Sequence, residues 1–162
     1  MGRVTLDAKD VQILDVLQKD SRLTNAELAE RIGMSSSPCW RRVHRLELGG
    51  VIRGYHAEVD RRAIGFGVLA FVRVSIDSYS EVEASRFAER IRDAEYVIAC
   101  YQVAGEVDFL LQVVAADLDS YESTIVELRR CPGIRSMHTM FVINEVKSPT
   151  SLPLRADATH GV

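Results

Sequence analysis

Over the first 62 residues, apolar positions recur at helical spacing in three short runs. In "LDAKDVQILDVLQKD", Val11, Ile13, Leu14 and Leu17 share one side, Asp7 takes the N-cap position, and Asp10 is a first-turn acid suited to the helix dipole. "TNAELAERIG" starts with a capping box, Thr24 to Glu27, carries Leu28, Ala29 and Ile32 on one side, and stops at Gly33, which tolerates the left-handed conformation. Only Gly33, Met34 and Ser35 separate this run from a third, in which Ser35 can cap and Pro38 falls in the first turn, where no intrahelical N–H is lost. Helix, tight glycine turn and helix together predict a helix-turn-helix.

At about 100° per residue, Val43 and Leu46 fall within about 40° of Cys39, and these three form the buried stripe of the third helix. Ser37, Arg41, His44 and Arg45 take the opposite side, flanked by Trp40 and Arg42. Two arginines, a histidine and a serine on an outward face suit phosphate contact and base-edge readout in a major groove. Trp40 can reach the groove or pack beneath the chain that follows. That chain, "GGVIRGYHAEVD", alternates Tyr55, Ala57 and Val59 after two glycines and predicts a small strand or wing.

Beyond residue 66 the period changes. "FGVLAFVRVSID" alternates as a strand. "SEVEASRFAERIRD" opens on a capping box, Ser80 to Glu83, and repeats apolar groups at Ala84, Phe87, Ala88 and Ile91 as a helix. "YVIACYQVAG" and "VDFLLQVVAAD" are β-rich runs meeting at a hairpin near Gly105-Glu106. "DLDSYESTIVELRR" is a second helix with Leu118, Tyr121, Ile125 and Leu128 on one side, and "IRSMHTMFVINEV" is a last strand. The order βαββαβ predicts a ferredoxin-like sheet with both helices on one face, and the fold class is α+β. Val68, Ala70, Val72, Val74 and Ile76 can face the helices, yet Leu69 and Phe71 leave the other face apolar as well. A second copy of the sheet is the simplest cover, which makes the expected assembly at least a homodimer.

Composition changes this picture in two places. The net charge of −3 divides unevenly, with 11 Lys/Arg against 9 Asp/Glu in residues 1–62 and 9 against 14 thereafter. Two domains with different partners account for the asymmetry. The cysteines Cys39, Cys100 and Cys131 are odd in number and far apart, with no C-x-x-C pair, so they read as reduced and mostly structural. His44, His56, His138 and His160 do not sit at zinc-ligand spacings, and no metal is expected. With no run of about 20 apolar residues and no signal-like start, neither a membrane nor export is expected, and the expected compartment is the cytoplasm.

"LDAKDVQILDVLQKDSRLTNAELAERIGMSSSPCWRRVHRLELGGVIRGYHAEVD", followed in order by "VAGEVDFLLQV", "PGIRSMHTMFVINEVK" and "TSLPL", resembles the Lrp/AsnC (leucine-responsive, feast/famine) transcriptional regulators over nearly the whole chain. The resemblance implies an N-terminal winged helix-turn-helix domain over 1–60, a linker over 61–66, a ferredoxin-like amino-acid-sensing and oligomerisation domain over 67–150, and an extended tail over 151–162. It makes Ser36 to Leu48 the recognition helix and Ser37, Arg41, His44 and Arg45 its DNA-facing positions, and Ser36 with the flanking Trp40 and Arg42 completes the expected DNA-binding set. It further implies a free amino acid bound between subunits at the hairpin, with Gly105, Glu106 and Asp108 as first choices and Tyr101, Val103, Met137 and Thr139 lining the site. An acid can hold the ligand's ammonium, and exposed backbone N–H groups its carboxylate. Implied partners are promoter DNA, the amino-acid effector and further copies of the chain, often to an octamer. No cofactor is implied.

Two other classes compete. Glu106 and Asp108 as an acid/base pair would make an enzyme, but they stand two apart on a turn with no nucleophile, base or ligand cluster near them, so none is expected. A stand-alone metabolite-sensing subunit of a metabolic enzyme would use the N-terminal helices only for docking. The basic outer face of the third helix disfavours both.

Overall fold

In the computed structural model, residues 5–77, 81–148 and 151–154 are described. The chain divides into two units, Met1–Glu58 with Lys147–Val162, and Val59–Val146.

The first unit is built on three helices. Helix α1, Ala8–Lys19, starts where the Asp7 side chain accepts from the Lys9 and Asp10 N–H groups and Asp10 returns a bond to the Asp7 N–H, a reciprocal cap. Helix α2, Asn25–Arg31, has the expected Thr24–Glu27 capping box. Helix α3, Ser36–Leu48, follows a turn in which Gly33 takes a φ of 63° and Met34 N–H bonds to Ala29 C=O. Ser35 occupies the cap position by backbone, but its side chain makes no cap bond. Ile13, Leu14, Leu28, Ala29, Ile32, Cys39 and Leu46 form the core, with Val43 partly buried against it.

Two features of this unit depart from sequence expectation. The anticipated wing over 49–60 forms no strand. Val51 and Ile52 N–H groups both bond to Leu46 C=O, Ile52 packs on the core, and the extended chain beyond stays exposed at Tyr55 and Val59. A strand needs a ladder partner, and none lies beside it among the described residues. Of the expected tail only Ser151–Leu154 is described, and it forms neither helix nor strand yet is tied to the helices. The Gln18 side chain donates to Leu152 C=O at 3.2 Å and accepts from Leu152 N–H at 2.7 Å, while Leu154 packs on the helical core.

The second unit is a four-stranded antiparallel sheet, order β2-β3-β1-β4, with β1 Val68–Ile76, β2 Val97–Gln102, β3 Phe109–Ala115 and β4 Ile134–Phe141. Helices α4, Glu81–Arg92, and α5, Leu118–Arg129, complete the βαββαβ order. The anticipated Ser80–Glu83 capping box lies outside the described residues. Asp117 caps α5 by accepting from Ser120 N–H. The core joins Ala70, Val72 and Val74 of β1 and Phe109, Leu111 and Val113 of β3 to Phe87 and Ile91 of α4 and Tyr121, Ile125 and Leu128 of α5. Leu118, expected on that inner side, is exposed because it opens α5. The last strand ends at Phe141, before the expected 146, and Ile143 and Val146 are exposed beyond it.

On the other face, the register aligns Leu69 with Val114, Phe71 with Gln112 and Met140, and Arg73 with Leu110 and His138. That face is amphipathic rather than apolar throughout, since Gln112, Arg73 and His138 interrupt Phe71, Leu110 and Met140.

Candidate functional site

The outward face of α3 is where the sequence places the residues expected to face DNA. Ser36, Ser37, Trp40, Arg41 and His44 are exposed there. Asn25 on α2 donates from its side chain to Ser36 C=O at 2.8 Å, and Lys9 on α1 donates to Ile32 C=O at 2.6 Å, so both neighbouring helices fix the turn before α3. Trp40, 56% exposed, lies outside the core and stacks on His44 with ring centroids 5.1 Å apart and planes 12° from parallel. The two rings are one helical turn apart, and the stack extends the outward face. Arg41 has no hydrogen bond or ion pair among the described residues and projects its guanidinium to solvent.

Arg42 and Arg45 are placed differently. Asp10 of α1 is fully buried, and its carboxylate accepts from Arg42 at 2.9 Å through one oxygen and from Arg45 through the other. Arg42 also bonds Asp7 at 2.6 Å. The backbone N–H of Asp10 and the Arg42 guanidinium hold the Asp7 carboxyl down at about 2, and bonds to Asp7 and Asp10 push the Arg42 pKa up. Arg42, 29% exposed and expected at the flank of the outward face, joins α3 to α1 through these bonds. Arg45, 48% exposed, is anchored at one end and open to solvent at the other.

Asp10 is the functional residue that sequence reasoning underrated. Its signal was present, because at helical spacing it falls in the middle of the stripe of Ile13, Leu14 and Leu17. An acid in a buried stripe requires cations to meet it. Cys39 sits in this core, and burial raises its thiol pKa, which leaves it a packing residue. Cys131 is likewise buried, but Cys100 is exposed, so the reading of the cysteines as structural does not extend to it.

The second candidate is the hairpin between β2 and β3. Val103 N–H bonds to Asp108 C=O at 3.0 Å, and Gly105 at its tip has a φ of 150° with open space where a side chain would stand. Glu106 is exposed and pairs with Arg73 at 2.7 Å. The Asp108 carboxylate accepts from Ile76 N–H at 2.9 Å, and its own N–H donates to Val74 C=O, so it ties the hairpin to β1. Tyr101 is exposed on the face away from the helices, level with Leu110, Arg73 and His138.

Met137 and Thr139 do not join this group. They sit on the opposite edge strand and on the helix side of the sheet, where Met137 packs on the core and Thr139 bonds the Tyr121 hydroxyl at 2.6 Å. Three strand spacings, about 14 Å, separate that edge from β2. One chain therefore does not bring the expected effector residues together. Two surface clefts, of about 500 and 440 Å³, lie elsewhere, lined by Arg90, Glu127 and neighbours on α4 and α5. Among the described residues no cluster of three His, Cys, Asp or Glu could hold a metal ion, and no helix is long and apolar enough to cross a membrane.

Residues 6–53 match the winged helix-turn-helix DNA-binding family, and residues 69–152 match the Lrp/AsnC ligand binding domain. The chain is 44% identical over 146 residues to the leucine-responsive regulatory protein of Rhizobium meliloti (strain 1021), covering 90% of this chain and 94% of that protein. It is 36% identical to the Bkd operon transcriptional regulator of Pseudomonas aeruginosa, over 92% of this chain and 98% of the relative. Among solved structures, a transcriptional regulator of Neisseria meningitidis in complex with L-Met superposes with a TM-score of 0.86 at 39% identity, over 92% of this chain and 97% of the other. An AsnC family regulator from Agrobacterium tumefaciens superposes equally well, with a TM-score of 0.86 at 35% identity over 91% and 97%.

Proposed function

The chain belongs to the Lrp/AsnC family of DNA-binding transcriptional regulators, and on that premise we propose that it reads promoter DNA with α3 and couples that reading to a free amino acid held at the 103–108 hairpin between copies of the chain. Ser36, Ser37, Trp40, Arg41 and His44 meet the groove, and the solvent end of Arg45 meets a phosphate. The observation that carries this is the division of labour on α3, where Arg41 has no partner among the described residues while Arg42 is held by α1.

On the effector side, Glu106 offers a carboxylate to an ammonium, and the hairpin backbone offers N–H groups to a carboxylate. Tyr101, Val103 and Gly105 belong to the same edge, and the rest of the enclosure comes from a neighbouring copy. The relative solved with L-Met supports an amino acid as the ligand class and makes L-Met the first to test. A homodimer forms over the face bearing Phe71, Leu110 and Met140, and dimers assemble further, to an octamer. Two recognition helices then meet half-sites separated by about one helical turn or a multiple of it. The protein acts in the cytoplasm as a regulator and not as an enzyme.

The mechanism is linkage. An amino acid changes DNA affinity only as far as it prefers one assembly, typically by about 1–3 kcal/mol. The test combines a thermal-shift screen of the twenty amino acids with titration of the adjacent intergenic DNA, with and without the hit. Stabilisation by one amino acid and a several-fold change in DNA affinity are expected. If no amino acid stabilises the protein and none alters DNA binding, the sensing half fails.

A further inference from the structure

The Trp40–His44 stack presents an apolar plate on a face otherwise made of hydrogen-bonding groups. Ser37, Arg41 and His44 can read donors and acceptors, whereas the indole face of Trp40 can read only shape and apolar surface. An indole more than half exposed contributes little to the folded monomer beyond its stack on His44, and Trp40 belongs to neither core cluster. The stack holds the ring, so little rotamer freedom remains to be lost on contact. Trp40 is also the fifth residue of α3, in the N-terminal half from which recognition helices touch base edges. Of the four bases, only thymine offers an apolar group in the major groove, its 5-methyl.

We propose that Trp40, held flat against His44, is a specificity-determining residue that reads the 5-methyl group of thymine at one position of each half-site. The proposal rests on α3 being the DNA-reading helix. Arg41, beside it with an exposed guanidinium, supplies the hydrogen-bonded or phosphate contact that fixes the helix over that position.

The experiment uses the full chain and a duplex selected by it from a random-sequence pool. Each thymine of that duplex is then replaced singly by deoxyuridine, which removes the methyl group and nothing else. Wild type is expected to lose about fourfold in affinity at one thymine per half-site, the partition ratio of one methyl group. Trp40→Ala should bind the parent duplex more weakly, still unfold cooperatively at a temperature close to that of wild type, and show no further loss on that deoxyuridine duplex. His44→Ala, which frees the indole, should keep less than half of the penalty in free energy. The proposal is overturned if no deoxyuridine position affects wild type, or if Trp40→Ala retains the full penalty. If no sequence is enriched and no duplex is bound, the DNA-reading assignment of α3 fails as well, which separates the two failures.

Discussion

Helix α3, proposed to read DNA, and the 103–108 hairpin, proposed to hold the effector, differ in how much of a site one chain can hold. On α3 a single 13-residue helix carries the face, and a buried acid from α1 holds two of its arginines from behind. The expected residues at the hairpin divide between two faces and two edges of the sheet. A groove-reading surface is convex and local, so helical periodicity alone can assemble it. A small amino acid needs enclosure on most sides, and one face of an open hairpin does not provide it.

The sharpest way to break the contrast is to remove what holds α3 from behind. Arg42→Ala with Arg45→Ala leaves the Asp10 carboxylate buried with no cation to meet it and only the Asp7 N–H bonded to it, and should destabilise the helical unit by about 3–5 kcal/mol in urea titration. Adding Asp10→Ala to that pair should recover part of the loss. Asp10→Ala alone should cost less, about 2–3 kcal/mol, because the two guanidinium groups can turn toward water. Unchanged unfolding in all three variants would mean that the seam does not organise α3.

Arg41→Ala should do the reverse, leaving unfolding unchanged while lowering operator affinity by about 10- to 100-fold in an anisotropy titration. If Arg41 contacts a phosphate instead, the slope of log K against log salt becomes shallower by about 0.9. Glu106→Gln probes the other region. The ion pair with Arg73 is exposed and worth no more than about 1 kcal/mol, so stability should barely move while amino-acid binding by calorimetry weakens about tenfold. A loss of stability without loss of ligand would assign Glu106 to the hairpin's structure alone.

The smallest effect is one of pH. Asp7 sits at about 2 in the folded chain against an ordinary 3.8, first through the Asp10 N–H and then through Arg42. A depressed folded pKa gives stability that is present above about 4 and lost as the pH falls toward 2. Exposure and screening hold it to no more than about 1 kcal/mol, and Asp7→Asn should flatten that part of the acid-unfolding curve.

The local rules were readable in the sequence. Asp7 and the Thr24–Glu27 pair cap their helices as their spacing predicts, the buried stripe on α3 falls at Cys39 and Leu46, and the alternation in β1 sends Ala70, Val72 and Val74 inward. What escaped depends on partners distant in sequence. The wing had a strand's alternation but no neighbour to pair with. The register of β4 turned Met137 and Thr139 toward the helices, and alternation alone does not say which parity faces in. Arg45 lay on the outward side by angle, yet its side chain is long enough to reach back to Asp10.

The clasp between Gln18 and Leu152 sets an order of events during synthesis. Residues 1–58 leave the ribosome first and can form their three helices, but Leu154 reaches their core only after the whole sheet unit has been made. The helical unit thus precedes the sheet unit in sequence and is finished by residues that follow it. A tag or truncation placed after residue 150 is therefore an alteration of the earlier of the two units.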